Sequence, residues 1–326
     1  MRIIILTTIL LVINTCTYNK NIGNIYTQEK NIALTAHTAL QSIPSPIKAD
    51  AKTIFYAQPQ SWRQKAYEVY RLIQGNNLIV ISFLNYDEQR KFFFRLTYFS
   101  NQNKQEYDIK PADYYKGMHS YNANDYSAKD IADYFNQLAK QHMEPEEGET
   151  ILLQMALAYK LLKKSGTGYV PLSGALVSFS LETEIKQRKR YLIHETMHGL
   201  FFTVSGLREE IFSIVNNLTP DEKRFWNLFL ENKGRLDSRP GLSGYNISNS
   251  ALVANEIFAH IMQNEPEYFD IYFFEIYIPR MIKLLPEEKE FLENFIKTNK
   301  NMFLELRRKF SQALEKHCSL KDGVLL

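Results

Sequence analysis

The sequence predicts an α+β protein, with a small antiparallel β-rich region over residues 51–126 followed by a mainly helical domain over residues 127–326. Three observations carry this expectation. The first region holds short runs rich in β-branched and aromatic residues, set apart by turn residues such as Gly75-Asn76-Asn77. From Ser127 onward the apolar residues change to a helical period with recognisable caps. The chain has 326 residues, 45% of them hydrophobic, enough to bury a large core in one big domain or two ordinary ones.

The amino terminus has one basic residue, Arg2, then an apolar run from Ile3 to Ile13, then small polar residues and Cys16. This run is too short to span a bilayer and fits a secretory signal over residues 1–16. Ile13-Asn14-Thr15-Cys16 resembles a loose lipobox, the site at which bacterial lipoproteins are cleaved before a cysteine that then carries lipid. It departs from the common pattern at Asn14 and Thr15, where small residues are usual. The expectation is an exported, cell-envelope protein held to the membrane by a lipid on Cys16. Ordinary cleavage nearby, or a disulfide between Cys16 and Cys318, are the alternatives. With two cysteines in the chain there is no disulfide framework and no cysteine-rich zinc site. Residues 17–50, polar and without a sustained period, read as a tether.

Within the β-rich region, Ala66–Ile73, Leu78–Leu84 and Phe92–Phe99 read as the three strands of an antiparallel meander. The Tyr-rich stretch 107–126 has no clear period, and His119 falls in it as a loop residue. Ser127-Ala128-Lys129-Asp130 resembles a capping box and opens a helix to about Gln141. A second helix is expected over Thr150–Lys164, stopped by Gly166. Val170–Leu181 reads as a strand, either buried or placed to pair with an extended peptide. Helices are expected next at Leu207–Asn217, from the Thr219-Pro220-Asp221-Glu222 cap to about Gly234, and then, after a polar loop over residues 235–250, at Ala251–Gln263, Glu267–Leu284 and Glu287–His317. His317, near the chain end, is expected to be exposed.

The formal charge is +3, or about +2 without the single charge of Arg2 in the leader. Such a balance gives no reason to expect a nucleic-acid partner. The 20 Tyr and 21 Phe are spread through the elements at core spacing and read as packing.

The stretch that carries chemistry is Leu192-Ile193-His194-Glu195-Thr196-Met197-His198-Gly199. Side chains four apart on a helix share a face, so His194 and His198 can converge on one ion. Two imidazole nitrogens then take two corners of a tetrahedron around zinc. Glu195 points to the side of that face, where it can reach a water at the metal as a general base. The flanking residues are apolar on nearly every side, and such a helix is a costly place for unpartnered His and Glu.

A catalytic zinc needs a third protein ligand and an open position. Glu256, in Ala254-Asn255-Glu256-Ile257-Phe258-Ala259-His260, is a carboxylate among apolar neighbours and the leading candidate. Glu209 and Glu210 compete, 11 and 12 residues after His198. They complete no motif: Phe201 and Val204 stand where the metzincins need Gly and a further His or Asp. At Glu256 the sequence resembles the gluzincins, zinc peptidases with two helical histidines and a downstream glutamate. Asn255-Glu256-Ile257-Phe258-Ala259 is similar to the Asn-Glu-x-Phe-Ala segment of the zinc aminopeptidases of that clan. The gap from His198 to Glu256, 58 residues, is closer to the neprilysin-like arrangement. The resemblance is confined to these two motifs within residues 190–263. It implies a zincin-like domain, one Zn2+ per chain held by His194, His198 and Glu256, Glu195 as the base, and a peptide or protein substrate.

The chain departs from the clan at His260, where an Asp that orients a histidine is expected in thermolysin-like and neprilysin-like enzymes. His260 shares a face with Glu256, which leaves it as a transition-state donor, an extra ligand or a core histidine. Tyr245, and after it Arg239, lie in the loop before Glu256 and are candidates to stabilise an oxyanion. A surface-anchored binding or structural protein, with a non-catalytic zinc or none, is the competing reading.

Overall fold

The computed structural model describes residues 43–100, 108–115, 122–237 and 244–326. The expected leader with Cys16, most of the expected tether, His119 and Arg239 lie outside these residues. The last part of the tether is structured: Ile47–Ala49 forms strand β1, followed by helix α1 (Ala51–Tyr56), whose first turn is capped by Asp50. Strands β2 (Tyr67–Leu72) and β3 (Leu78–Phe83) then pair antiparallel, as the alternation predicts.

The third run of the expected meander is a helix, α2 (Tyr86–Ser100). A short apolar run such as Phe92–Phe99 suits a buried strand or a buried helix equally by pattern. The residues before it decide: Asn85 accepts from the Glu88 backbone N–H at 2.9 Å, and Asp87 and Glu88 sit in the first turn, where the helix dipole favours acids. Strand β4 (Ala123–Ser127) leads into α3 (Ala128–Lys140), whose Ser127–Asp130 capping box is present. Helix α4 (Glu147–Ala158) ends well short of the expected Lys164. Lys160 takes a left-handed conformation and the Leu161 N–H reaches back to the Ala156 carbonyl, the geometry of a Schellman stop. A small hairpin of β5 (Leu162–Ser165) and β6 (Gly168–Pro171) comes next, and then β7 (Ala175–Ser180). The single expected strand over Val170–Leu181 is therefore two.

The main sheet has the order β1-β2-β3-β7-β4 and is mixed: β1 with β2 and β3 with β7 run parallel, the other pairs antiparallel. The fold is thus mostly helical with a small mixed sheet, and that sheet draws strands from both sides of residue 127. β7 is an interior strand, hydrogen-bonded on both edges, so it has no edge left for a peptide. Among the described residues the free edge nearest the site is that of β4.

Helix α5 (Ile185–Thr203) carries the two-histidine motif, with Glu184 capping its first turn. It lies close on the sheet because residue 199 is Gly: a Cβ there would stand 2.5 Å from Leu78 Cδ1 and 3.2 Å from Val177 Cγ2. Helices α6 (Ser205–Asn216), α7 (Pro220–Glu231), the short α8 (Lys233–Leu236) and α9 (Ser250–Met262) come after it. The expected helix over Glu267–Leu284 is wound as a π-helix from Asp270 to Tyr277 before α10 (Ile278–Leu284). Pro279 has no N–H to give to the Glu275 carbonyl, and the wider turn in front of it accommodates the loss. The last expected helix is broken at Asn299–Asn301 into α11 (Lys289–Thr298) and α12 (Met302–Cys318).

Away from the motif, Arg95 of α2 and Glu149 of α4 form an ion pair whose side chains are 3% and 2% exposed, and the Tyr134 hydroxyl donates to the same carboxylate at 2.6 Å. Arg95→Ala would leave a buried carboxylate with two neutral donors, the Tyr134 hydroxyl and the Glu146 backbone N–H, and no countercharge. It is expected to lower stability in a denaturant titration by about 3–5 kcal/mol, and a change under about 1 kcal/mol would contradict that role.

Candidate metal centre

Helices α5 and α9 pack against each other and bring residues 58 apart in sequence to one point. His194 and His198 project from consecutive turns of α5, with their Nε2 atoms 3.0 Å apart. Glu256, from the buried middle of α9, places Oε2 3.8 Å from His194 Nε2 and Oε1 3.6 Å from His198 Nε2. His260, one turn further along α9, places its own Nε2 3.8 Å from Glu256 Oε2. Three imidazoles and one carboxylate thus converge, and the sequence-predicted set of His194, His198, Glu256 and His260 is brought together.

The chemistry of this cluster calls for a cation. Glu256 Oε2 and His260 Nε2 are buried with no hydrogen-bond partner, a costly arrangement for a carboxylate in an apolar interior. Burial pushes the Glu256 carboxyl up to about 7. His198 and a hydrogen bond from Tyr245 hold it lower than burial alone would, while Asp125 works against them. Burial likewise holds the His194 and His260 imidazoles well below their usual range, aided by neighbouring imidazoles and by Lys233 and Arg190. For His198 burial opposes protonation, but the carboxylates of Asp125 and Glu256 and the side chain of Asn255 outweigh it and raise its proton affinity. The residues therefore fit a divalent ion, and His194, Glu256 and His260 offer ligand atoms that all lie within 4.8 Å of one another.

These shifts make the metal's effect on stability depend on pH. The raised Glu256 carboxyl stabilises the metal-free fold below its ordinary value of 4.5, and that contribution, on the order of 3 kcal/mol, is lost as pH rises through about 7. The depressed His194 and His260 act oppositely: the fold holds them neutral, so stability is lost as pH falls below the ordinary 6.5. A metal ion takes the deprotonated forms of all of them. The rise in melting temperature on adding a divalent metal is expected to be small at about pH 5 and large at about pH 8. A rise independent of pH would contradict the assignment of these ligands.

Surrounding residues hold the rings in place. The Gln263 amide nitrogen donates to His260 Nδ1 at 2.9 Å, which in the neutral ring leaves the proton on Nε2. Tyr272, carried inward by the π-helix, lies 3.3 Å from the same Nδ1 and accepts from Gln263 at 3.1 Å. Arg307 of α12 donates to the Met262 carbonyl at 2.7 Å and so satisfies the end of α9. Tyr245, expected near the site from its place before α9, does reach it: it hydrogen-bonds Glu256 and also packs against the core.

The competing carboxylates lie away from the cluster. Glu210 pairs with Lys316 at 2.7 Å and His317 at 2.8 Å, and Glu209 is exposed. His317, expected to be exposed, is half-buried through that contact.

Asp125 joins the site without having been marked by the sequence. Its cross-strand partner on β7 is Val177, whose side chain meets α5, so the register turns Asp125 to the same face. There Asp125, Glu195 and His198 offer atoms that lie within 4.8 Å of one another. Ala-Asn-Asp-Tyr-Ser carries no apolar alternation, so nothing in it signals a strand, and the partner strand that orients Asp125 is some fifty residues downstream. Comparison with family models, with curated proteins and with solved structures gave no match to this chain.

Proposed function

We propose that this chain is a zinc-dependent metallopeptidase with a gluzincin-type site on a zincin-like domain. The observation that carries the reading is the convergence of His194 and His198 on α5 with Glu256 on α9, whose buried Oε2 has no hydrogen-bond partner. Tetrahedral donors about 2.0–2.1 Å from zinc lie about 3.3 Å from one another. The His194–His198 separation of 3.0 Å is near that value, and Glu256 sets one oxygen 3.8 Å from His194 Nε2 and the other 3.6 Å from His198 Nε2.

In this reading His194, His198 and Glu256 hold the ion, which when bound supplies a Lewis acid that lowers the pKa of water and polarises a carbonyl. Glu195 stands beside His198 on the same helix, where its carboxylate takes the proton of the attacking water and returns it to the leaving amine. His260, with its proton on Nε2, donates toward the oxygen that gains charge, and Tyr245 orients Glu256. Asp125 faces Glu195 and His198 from an edge strand along which an extended peptide can lie. The amino-terminal pattern supports export and anchoring through Cys16. No described helix is long and apolar enough to cross a membrane.

One observation favours a second reading, in which the ion is structural: His260 aims a fourth nitrogen at the cluster, which ligates if Gln263 turns its carbonyl oxygen to Nδ1 and the proton moves there, and a closed four-ligand site leaves no open position. A surface-anchored binding protein would fit such a site. His260→Gln separates the two. As a donor, its loss leaves zinc bound and lowers kcat by about 10²–10³-fold; as a fourth ligand, its loss releases zinc and melts the domain. The peptidase reading is tested by incubating the zinc-loaded protein with a mixed peptide library and identifying new termini by mass spectrometry. Chelator-sensitive cleavage is expected, and a folded, zinc-loaded protein that cuts nothing would argue for the structural role.

A further inference from the structure

Arg190 stands four residues before His194, as His194 does before His198, so the three form one row along α5. Its neighbours in sequence are committed: Arg188 donates to the Leu181 carbonyl at 3.0 Å and Lys189 pairs with Glu265 at 2.7 Å. Arg190 is not. Its Nε is buried and unpartnered, and among the described residues the guanidinium has no hydrogen-bonded or ion-paired partner. The groups that hold it are aromatic: the guanidinium carbon lies 5.4 Å from the Tyr272 ring centroid and 5.9 Å from that of Tyr191. Tyr272 is in turn tied to Gln263 and His260, which fixes the guanidinium relative to the cluster.

A cation in this place is repelled by any metal ion the imidazoles hold, and an anion brought from outside to its unpaired N–H groups would offset that repulsion. We propose that Arg190 is a substrate anchor that takes a carboxylate group at the His194 end of the site, an inference that rests on the metallopeptidase reading above. A guanidinium held against aromatic rings keeps its N–H fork free for bidentate contact with a carboxylate. The other end of the site carries Asp125 and Glu195 beside His198, so the site is polar along its length. Peptides with a carboxylate on one side of the scissile bond are favoured, and those with it on the other side are repelled. The carboxylate comes either from the chain terminus, which makes the enzyme act near carboxyl ends, or from an acidic side chain.

The test is calorimetric binding to zinc-loaded Glu195→Gln protein, with and without Arg190→Gln. The probes are N-acetyl-alanyl-phenylalanine as free acid, the same peptide as its amide, and N-acetyl-glutamyl-phenylalanine amide. The free acid is expected to bind about 10–100-fold more tightly than its amide, the preference to vanish in Arg190→Gln, and Arg190→Lys to recover part of it. Tighter binding of the glutamyl amide than of the alanyl amide, also dependent on Arg190, assigns the carboxylate to a side chain. Acid-to-amide and glutamyl-to-alanyl ratios that are both left unchanged by Arg190→Gln, or equal or no binding of all three probes, overturn the proposal. An Arg190-dependent preference in a zinc-loaded wild type that cuts no peptide would keep the anchor and remove the peptidase.

Discussion

Glu195→Gln is expected to keep zinc and fold and to lose turnover. The carboxylate lies on the cluster side of α5, within 4.8 Å of Asp125 and His198 ligand atoms, but it is not among the atoms that converge between His194, Glu256 and His260. An amide of the same shape leaves the ligands in place and cannot take a proton from water. General-base removal typically costs about 10²–10⁴-fold in rate, so a fall in kcat of about that size, with unchanged zinc content and melting temperature, is the expected outcome. A variant with wild-type kcat would rule Glu195 out as the base. A variant that loses zinc as well would make it a ligand.

Glu256→Ala is expected to lose the metal. Among the described residues its carboxylate is the acidic group set between the His194, His198 and His260 nitrogens, with separations of 3.6 to 3.8 Å. Removing an outer partner of a ligand costs roughly 10–100-fold in affinity, and removing a ligand should cost more. The metal-free variant also lacks the buried carboxyl whose ionisation, at about 7, works against the apo fold. At about pH 8 the metal-free Glu256→Ala protein should therefore be at least as stable as metal-free wild type, although far less stable than the zinc-loaded protein. Equal zinc retention by the variant and the wild type would transfer the third ligand to another residue.

The grouping of the candidate ligands was more legible in the sequence than the scaffold. His194, His198 and Glu256 stand out because polar residues at helical spacing in apolar runs need a buried partner, and the Ser127 and Thr219 caps are local signals that the structure repeats. Signals that depend on distant partners did not show. The Phe92–Phe99 run is an exception: it is ambiguous by pattern, and the cap at Asn85 that makes it a helix is a local signal. β7 gives no sign in its own residues that it lies between β3 and β4, a placement that removes it as a peptide-binding edge. Asp125 and Arg190 were invisible for related reasons. Asp125 needs the β4–β7 register to face α5, and Arg190 needs the π-helix to bring Tyr272 against it.

A zinc centre built from two helices is tested most directly by X-ray absorption at the zinc edge of the reconstituted protein, together with elemental analysis. The expected result is about one zinc per chain in a shell of nitrogen and oxygen only, with at least two imidazoles in the scattering pattern. No zinc retained by a folded protein, or sulfur in the shell, would contradict it.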